Sequence, residues 1–552
     1  MRRALHSGAR VVSAVFVFAI VQIYSFAQNA SACPRFPAGS SITQPQDLFS
    51  EHGVLRVSLT YETTVDQNGN TLFCFMTNGG TESPTLHVHP GDRLAISLKN
   101  NVPAPASNMT MNAMPGMTVT GKPSSTCGAV TMTAASVNIH YHGTNTPPTC
   151  HQDEVIHTMI NSGETFQYDV QFPLDEPPGL YWYHPHIHGI SEAAVQGGAS
   201  GALIVEGIQR INPELAGLPQ QVLIVRDNLV PGNPTPGGNI PSWDVSLNYV
   251  PVAWPAFTPA VIQMKPGEKQ LWRVLNASAD TIIDLQLQYD GTPQPLEVVA
   301  LDGVPTGSQD GTSRGKRLLQ TDVLLAPAAR AEVIVTGPSS SVKSATLMTL
   351  NVDTGPDGDN DPTRAIAAVK VSDDAPEPPL SIPYVFDPPH RQRFAELEKE
   401  KPTAERTLYF SEVLSDPDDP NSPTNFFITV DGQTPTLFSP DNPPAIVTTQ
   451  GSVEDWTIEN RSMENHEFHI HQIHFLLREQ NGVAVNNGQF LDMIQVPYWQ
   501  GTGPYPSVKV RMDFRGPLVG DFVYHCHILG HEDNGMMAII RVKPPRGERG
   551  HH

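Results

Sequence analysis

Long helical periodicities are scarce in this 552-residue chain, basic residues are few, and cysteine is nearly absent. Each shortage excludes something. With 34 Lys and Arg against 56 Asp and Glu, the formal charge is -22. That sign repels phosphate backbones and anionic lipid surfaces and argues against nucleic acid as a partner. Without long helical patterns, the 52 prolines and 43 glycines read as turns between short strands, which predicts an all-β protein. The one long apolar run is "VVSAVFVFAIVQIYSFA", from Val11 to Ala27. It follows Arg2, Arg3 and Arg10 and precedes Ala30 and Ala32 at cleavage-site spacing. Residues 1–32 are therefore expected to be a signal peptide and not an anchor. The mature chain would be exported, periplasmic or secreted, without stable membrane insertion. Arg2 and Arg3 leave the export route open, and "ASAC" leaves lipidation at Cys33 open.

Five cysteines suit an oxidising compartment. Four of them, Cys33, Cys74, Cys127 and Cys150, allow three pairings. Proximity along the chain favours Cys33 with Cys74 and Cys127 with Cys150. Cys526 is left over, inside "YHCHILGHEDNGMM".

At roughly 150 residues per domain the chain divides into about three. Three segments share a proline, an alternating apolar strand, a glycine, and an asparagine nine residues further on: "PTLHVHPGDRLAISLKN", "PAVIQMKPGEKQLWRVLN" and "PAIVTTQGSVEDWTIEN". Each predicts two strands hinged at a tight turn, at Gly91, Gly267 and Gly451. The repeat sets expected domains at 33–207, 208–372 and 403–552, with a proline-rich linker at 373–402.

Four His-x-His pairs occur: His140 and His142, His184 and His186, His469 and His471, His525 and His527. Alternate residues of a strand share a face, so each pair can offer two imidazoles to a metal. Two pairs fall in the first expected domain and two in the third. This implies eight imidazoles at the interface of those domains, with the middle one as spacer and brace. If His525 and His527 face that cluster, Cys526 points to the opposite side of the strand, towards a second metal. A thiolate, two histidines and a weak axial methionine form the donor set of a blue-copper site, and His466, His531 and Met536 are at hand. A lone cysteine with a distant methionine is not a structural zinc pattern.

"HYHG", "WYHPH", "HEFHIH" and "HCHILGHEDNGMM" resemble the four copper motifs of the multicopper oxidases, the family of laccases, bacterial copper-tolerance oxidases and bilirubin oxidases. The resemblance spans essentially the whole mature chain and implies three cupredoxin-like Greek-key β-barrel domains with four copper ions. It implies type 1 copper at His466, Cys526, His531 and Met536, and type 2 copper at His140 and His469. The type 3 pair would take His142, His184, His186, His471, His525 and His527. Departures are modest: Tyr141 and Pro185 replace the commoner tryptophan and serine, and Glu467 and Gln472 are expected to shape the rim of the substrate site. His188 and His474 read as packing or supporting histidines.

The resemblance also implies that electrons enter at the type 1 copper through the edge of His466 or His531 and cross by the Cys526 backbone. Dioxygen is then reduced to water. Asp153 and Glu532 match acidic positions that would relay protons, against the alternative that both are solvated surface carboxylates. The implied activity is one-electron oxidation of phenols or aromatic amines with O2 as acceptor. The alternatives are a cuprous oxidase serving copper tolerance and a non-catalytic copper-binding cupredoxin. Met109, Met111, Met114 and Met117 offer soft donors that suit a Cu(I) entry site, or a packed lid.

Overall fold

The strand Thr165–Gln171 buries Phe166, Tyr168 and Val170 and exposes the residues between them, the period-2 pattern of a sheet with one face on a core. Gly179–His184 is buried at every position because it lies between two cores. Tyr181 and Tyr183 pack into the first and Leu180 and Trp182 into the second. Such strands are the dominant regular element of the computed structural model, which describes residues 33–104, 127, 131–308, 315–381, 393–419, 421–486 and 488–545. The expected signal peptide, the four methionines from Met109 to Met117, and residues 382–392 of the expected linker lie outside the described residues. No helix among the described residues is long and apolar enough to cross a membrane.

The strands fall into three consecutive pairs of sheets. The first pair runs from Asp47–Phe49 to Gly201–Val205, the second from Gln220–Leu229 to Arg364–Val371, and the third from Ala404–Leu414 to Met537–Lys543. Each pair encloses its own apolar core. The all-β, cupredoxin-like architecture is thus present three times. Two disulfides, Cys33 with Cys74 and Cys127 with Cys150, tie the first sandwich, and Cys526 is free and buried.

Each repeated glycine turn hinges two strands, as expected, but the two strands lie in different sheets. Thr85–Val88 pairs with Asp47–Phe49 and Gly201–Val205, whereas Arg93–Asn100 pairs with Val54–Val65 and Thr165–Gln171. Gly91, with φ +87°, turns the chain from one sheet to the other. Ala260–Met264 and Lys269–Asn276 are separated in the same way about Gly267, and Ile446–Thr449 and Val453–Asn460 about Gly451. The physical reason is burial. Leu86 and Val88 on one strand and Leu94, Ile96 and Leu98 on the next are all fully buried, and both sets reach one core only from facing sheets.

The asparagine that closes each repeat does the same work three times. Asn100 Nδ2 donates to the carbonyls of Ala135 and Ile160, Asn276 to Thr281 and Leu325, and Asn460 to Glu464 and Val496. Each side-chain oxygen accepts the amide two residues on, from Val102, Ser278 or Ser462. A buried amide that satisfies three backbone groups at once holds the loop that leaves the strand.

Candidate metal centres

Strand parity places the histidines. His140–His142 lies antiparallel to Gly179–His184, with His140 opposite His184 and His142 opposite Trp182. Tyr141 occupies the first core, so His140 and His142 leave by the other face. His184 leaves on the Trp182 side and stacks on that ring at 4.1 Å. In the third sandwich, Phe468 lies opposite Cys526 and His469 opposite His525. Phe468, Ile470, Tyr524 and Cys526 fill the third core, which turns His469 and His525 outward to meet the histidines of the first sandwich.

All eight imidazoles are buried, and their ring nitrogens group as His140 with His469 and His142, then His142, His184 and His527, then His186, His471 and His525. One nitrogen of most rings is committed. His140 Nδ1 meets Asp153 Oδ1 at 3.0 Å, His142 Nε2 meets Asp492 Oδ1 at 3.2 Å, and His469 Nδ1 donates to the Asp492 carbonyl at 2.8 Å. His184 and His525 each give Nδ1–H to the carbonyl of the next residue, Pro185 and Cys526, at 2.8 Å. The other nitrogens, His140 Nε2, His142 Nδ1, His184 Nε2, His469 Nε2 and both of His527, are buried without a hydrogen-bond partner. In the third group, the Nε2 atoms of His186 and His471 approach His525 Nε2 at 3.4 and 3.2 Å. Burial first, and neighbouring imidazoles second, lower the pKa of His142, His186, His469, His471 and His527 well below the usual histidine value. Burial brings His525 to about 3. Neutral rings with bare nitrogens aimed at shared points are what a transition-metal ion requires of imidazole.

On the opposite face of the Cys526 strand, Cys526 Sγ lies 3.7 Å from His466 Nδ1 and 3.8 Å from His531 Nδ1, and those nitrogens are 3.1 Å apart. Both outer edges are held by carboxylates. His466 Nε2 meets Glu412 at 3.0 Å and Ser462 Oγ at 2.7 Å, and His531 Nε2 meets Glu464 at 3.3 Å. With the proton on Nε2, both Nδ1 lone pairs face the sulfur. Burial raises the Cys526 thiol well above its ordinary value, partly opposed by the Glu467 amide, which donates to Sγ at 3.4 Å. Such a thiol ionises when a soft cation replaces its proton. Met536 is fully buried beside this group, exchanging backbone hydrogen bonds with Cys526 and His531.

Asp153 and Glu532 are both buried, so the solvated alternative does not hold. Asp153 orients His140 and accepts from Gln472 Nε2 at 2.8 Å across the interface of the first and third sandwiches. Glu532 approaches His525 Nδ1 at 3.2 Å and His186 Nε2 at 3.7 Å, and burial first, then Asp533, raises its pKa well above the carboxylate range. Gln472 and Glu467, expected at a substrate rim, are instead both buried. The Glu467 carbonyl accepts the His527 amide at 2.8 Å. His188 packs on Phe438, and His474 donates to the Asp302 carbonyl at 2.9 Å. Sequence reasoning missed Glu412, Glu464 and Asp492. The available signal for Asp492 was one acidic residue inside the apolar stretch "FLDMIQV".

Comparison with known proteins agrees with this geometry. Multicopper oxidase family models match residues 129–210 and 412–546, the segments that carry the converging histidines. The chain is 23% identical over 474 residues to a multicopper oxidase of Staphylococcus aureus, covering 84% of this chain and 83% of that one. It is 22% identical over 418 residues to a laccase of Bacillus subtilis, covering 70% and 74%. The solved structure of a Campylobacter jejuni multicopper oxidase, described as a metallo-oxidase, superposes with a TM-score of 0.64 at 22% identity, covering 94% of this chain and 98% of that one. The chain thus carries multicopper oxidase domains at both histidine-bearing segments and is similar along most of its length to multicopper oxidases.

Proposed function

We propose that the chain binds four copper ions and couples one-electron oxidation of a small donor to reduction of O2. His466, Cys526, His531 and Met536 would hold the type 1 ion, and His140 with His469 the type 2 ion. The type 3 pair would divide its ligands as His142, His184 and His527, and as His186, His471 and His525. Bound copper supplies one-electron redox chemistry at the cysteine and four-electron chemistry with dioxygen at the histidine cluster. The observation that carries this reading is the set of buried, unpartnered imidazole nitrogens converging at shared points on one face of a strand, with Cys526 on the other.

The protein's own groups do the rest. Asp153 and Asp492 orient His140 and His142, and Glu532, raised by burial, can hold a proton beside His186 and His525. Cys526 and His525 are adjacent, and the Cys526 carbonyl accepts His525 Nδ1–H, so the two metal-facing groups are joined through one residue of backbone. Export to an oxidising compartment is supported by the two disulfides.

The surface beside His531 supports a reading of the donor's class. A cavity of about 270 Å³ is lined there by Glu192, Asp280, Asp359, Asp361 and Glu464, with Phe426 and Trp243, and among the described residues by no lysine or arginine. Burial, then the neighbouring carboxylates, raises Asp280 well above its ordinary value and Glu192 to about 7. Asp361 Oδ1 is buried without a partner. Laccase-like oxidation of phenols and aromatic amines is the leading reading. Burial holds the Asp280 and Asp361 carboxyls protonated, and a donor that carries positive charge can take the place of their protons, which favours a protonated aromatic amine or, as the second reading, Cu(I). On copper-loaded protein, Cys526→Ser should lose the intense blue absorption and donor oxidation while the histidine cluster keeps its copper. Asp361→Asn should raise KM for Cu(I) and a cationic amine several-fold more than for dimethoxyphenol. Parent-rate oxidation by Cys526→Ser would sink the mechanism, and equal KM changes would remove the case for cationic donors.

A further inference from the structure

The middle sandwich holds none of the converging histidines, yet it places an arginine against them. Arg330 opens the strand Arg330–Thr336 and is 1% exposed. Its Nη1 and Nη2 donate to the two oxygens of Asp492 at 2.7 and 2.5 Å. Nη1 also donates to the Ala328 carbonyl at 3.1 Å, and Nε to the Leu180 carbonyl at 3.2 Å. Asp492 presents Oδ1 to His142 Nε2 at 3.2 Å and its backbone carbonyl to His469 Nδ1 at 2.8 Å. One residue of the third sandwich therefore holds histidines of the first and third, and a guanidinium of the second holds that residue.

A two-residue turn completes the arrangement. Asp302, at φ +47°, and Gly303, at φ +79°, link the strands Leu296–Leu301 and Val304–Pro305. Asp302 accepts the Arg330 amide at 3.0 Å and the amides of Asp492 and Met493 at 3.4 and 3.3 Å, which pins the backbone on either side of the Asp492 side chain. A carboxylate held by only one partner can rotate about its terminal bond. With both oxygens in a planar fork, Oδ1 stays an acceptor in a fixed direction. His142 must then carry its proton on Nε2, leaving Nδ1, the nitrogen without a partner, facing His184 and His527. Space for the fork is kept by Gly143, where a Cβ would come within 2.4 Å of Arg330 Nη2 and Asp492 Oδ2.

We propose that Arg330 is a positioning residue of the histidine-lined centre. Through Asp492 it fixes the tautomer and ring orientation of His142 and the orientation of His469, so the middle sandwich is a working part of the copper site. The inference rests on the copper reading above. Partners of this kind cost about 10- to 100-fold in metal affinity when removed. The test uses full-length Arg330→Lys and Arg330→Gln, loaded with copper and challenged with a graded chelator. Copper per chain, the blue absorption of the Cys526 site and the cupric magnetic resonance signal are followed. Both variants should keep the blue band and lose cluster copper at about 10- to 100-fold lower chelator concentration than the parent. Arg330→Lys keeps the buried charge and guards against misfolding in Arg330→Gln. Parent-like copper retention in Arg330→Lys, with only the melting temperature lowered, would overturn the proposal. A parent chain that bound no copper at either site would overturn the copper reading itself, and is distinguished by the missing blue band.

Discussion

Gly143→Ala is the sharpest single-atom test of how closely the sandwiches meet. Gly143 sits at φ +83°, and its added methyl would lie 2.4 Å from both Arg330 Nη2 and Asp492 Oδ2 and 3.2 Å from the Tyr181 ring. The left-handed backbone alone costs a non-glycine residue ~1–2 kcal/mol. Parting a buried ion pair costs ~3–5 kcal/mol when one partner is lost altogether, so a forced displacement is worth about half of that. The sum is about 3–4 kcal/mol. Gly69→Ala supplies the control, because Gly69 has φ +89° with nothing within 4 Å of the added atom, leaving only the backbone cost. Urea unfolding of the copper-free proteins at pH 7, compared by midpoint at constant slope, should separate the two variants by about 2 kcal/mol. Equal destabilisation would show that the Arg330–Asp492 fork does not crowd this position, and the reasoning about the fork would fail.

Two further outcomes follow from the described contacts. His525 is held at about 3 by burial, against ~6.5 in an unfolded chain. Between those values the unfolded chain binds a proton that the folded one refuses. The contribution is thus fully present above pH 6.5 and falls by ~1.4 kcal/mol per pH unit as the pH drops towards 3. In chelator, the stability difference between the parent and His525→Gln should change with that slope between pH 6 and 5 when measured by urea unfolding, and a constant difference would contradict it. Asn276→Ala removes the amide that satisfies Thr281 O, Leu325 O and Ser278 N. At ~1 kcal/mol or more for each buried group left unpaired, the loss should be about 3 kcal/mol, and a loss below 1 kcal/mol in calorimetry would show that water replaces the side chain.

Strand parity made the histidine pairs and Cys526 legible, because a period of two follows from backbone geometry and needs no knowledge of tertiary structure. The observed registers, Phe468 opposite Cys526 and His469 opposite His525, express that rule directly. The repeated glycine turns were legible as turns but not as corners, since a strand–turn–strand pattern fixes the reversal and leaves the pairing partner to the core. Arg330 and Asp302 were not legible. Arg330 is 162 positions from Asp492, and Asp492 is 350 from His142, so neither spacing nor periodicity joins them. Burial of Asp153 and Glu532 was hidden for the same reason: both lie in segments whose neighbours are polar, and only the meeting of the first and third sandwiches closes over them.

The ring nitrogens that face the shared points are kept bare by two devices with different reach. His184 and His525 give their outer proton to the carbonyl of the very next residue, a local arrangement that survives wherever the strand forms. His140, His142, His466 and His531 depend on carboxylates brought from elsewhere, Asp153, Asp492, Glu412 and Glu464. Carbonyl and carboxylate alike fix the tautomer and raise the basicity of the ring, but only the carboxylates reach it from distant segments. Weakening the contact between sandwiches should therefore disturb His142, with its borrowed Asp492, before it disturbs the triad of His186, His471 and His525. The copper lost first on partial unfolding would then be that held by His142, His184 and His527, with the Cys526 site outlasting it because Glu412 and Glu464 belong to the same sandwich as its ligands.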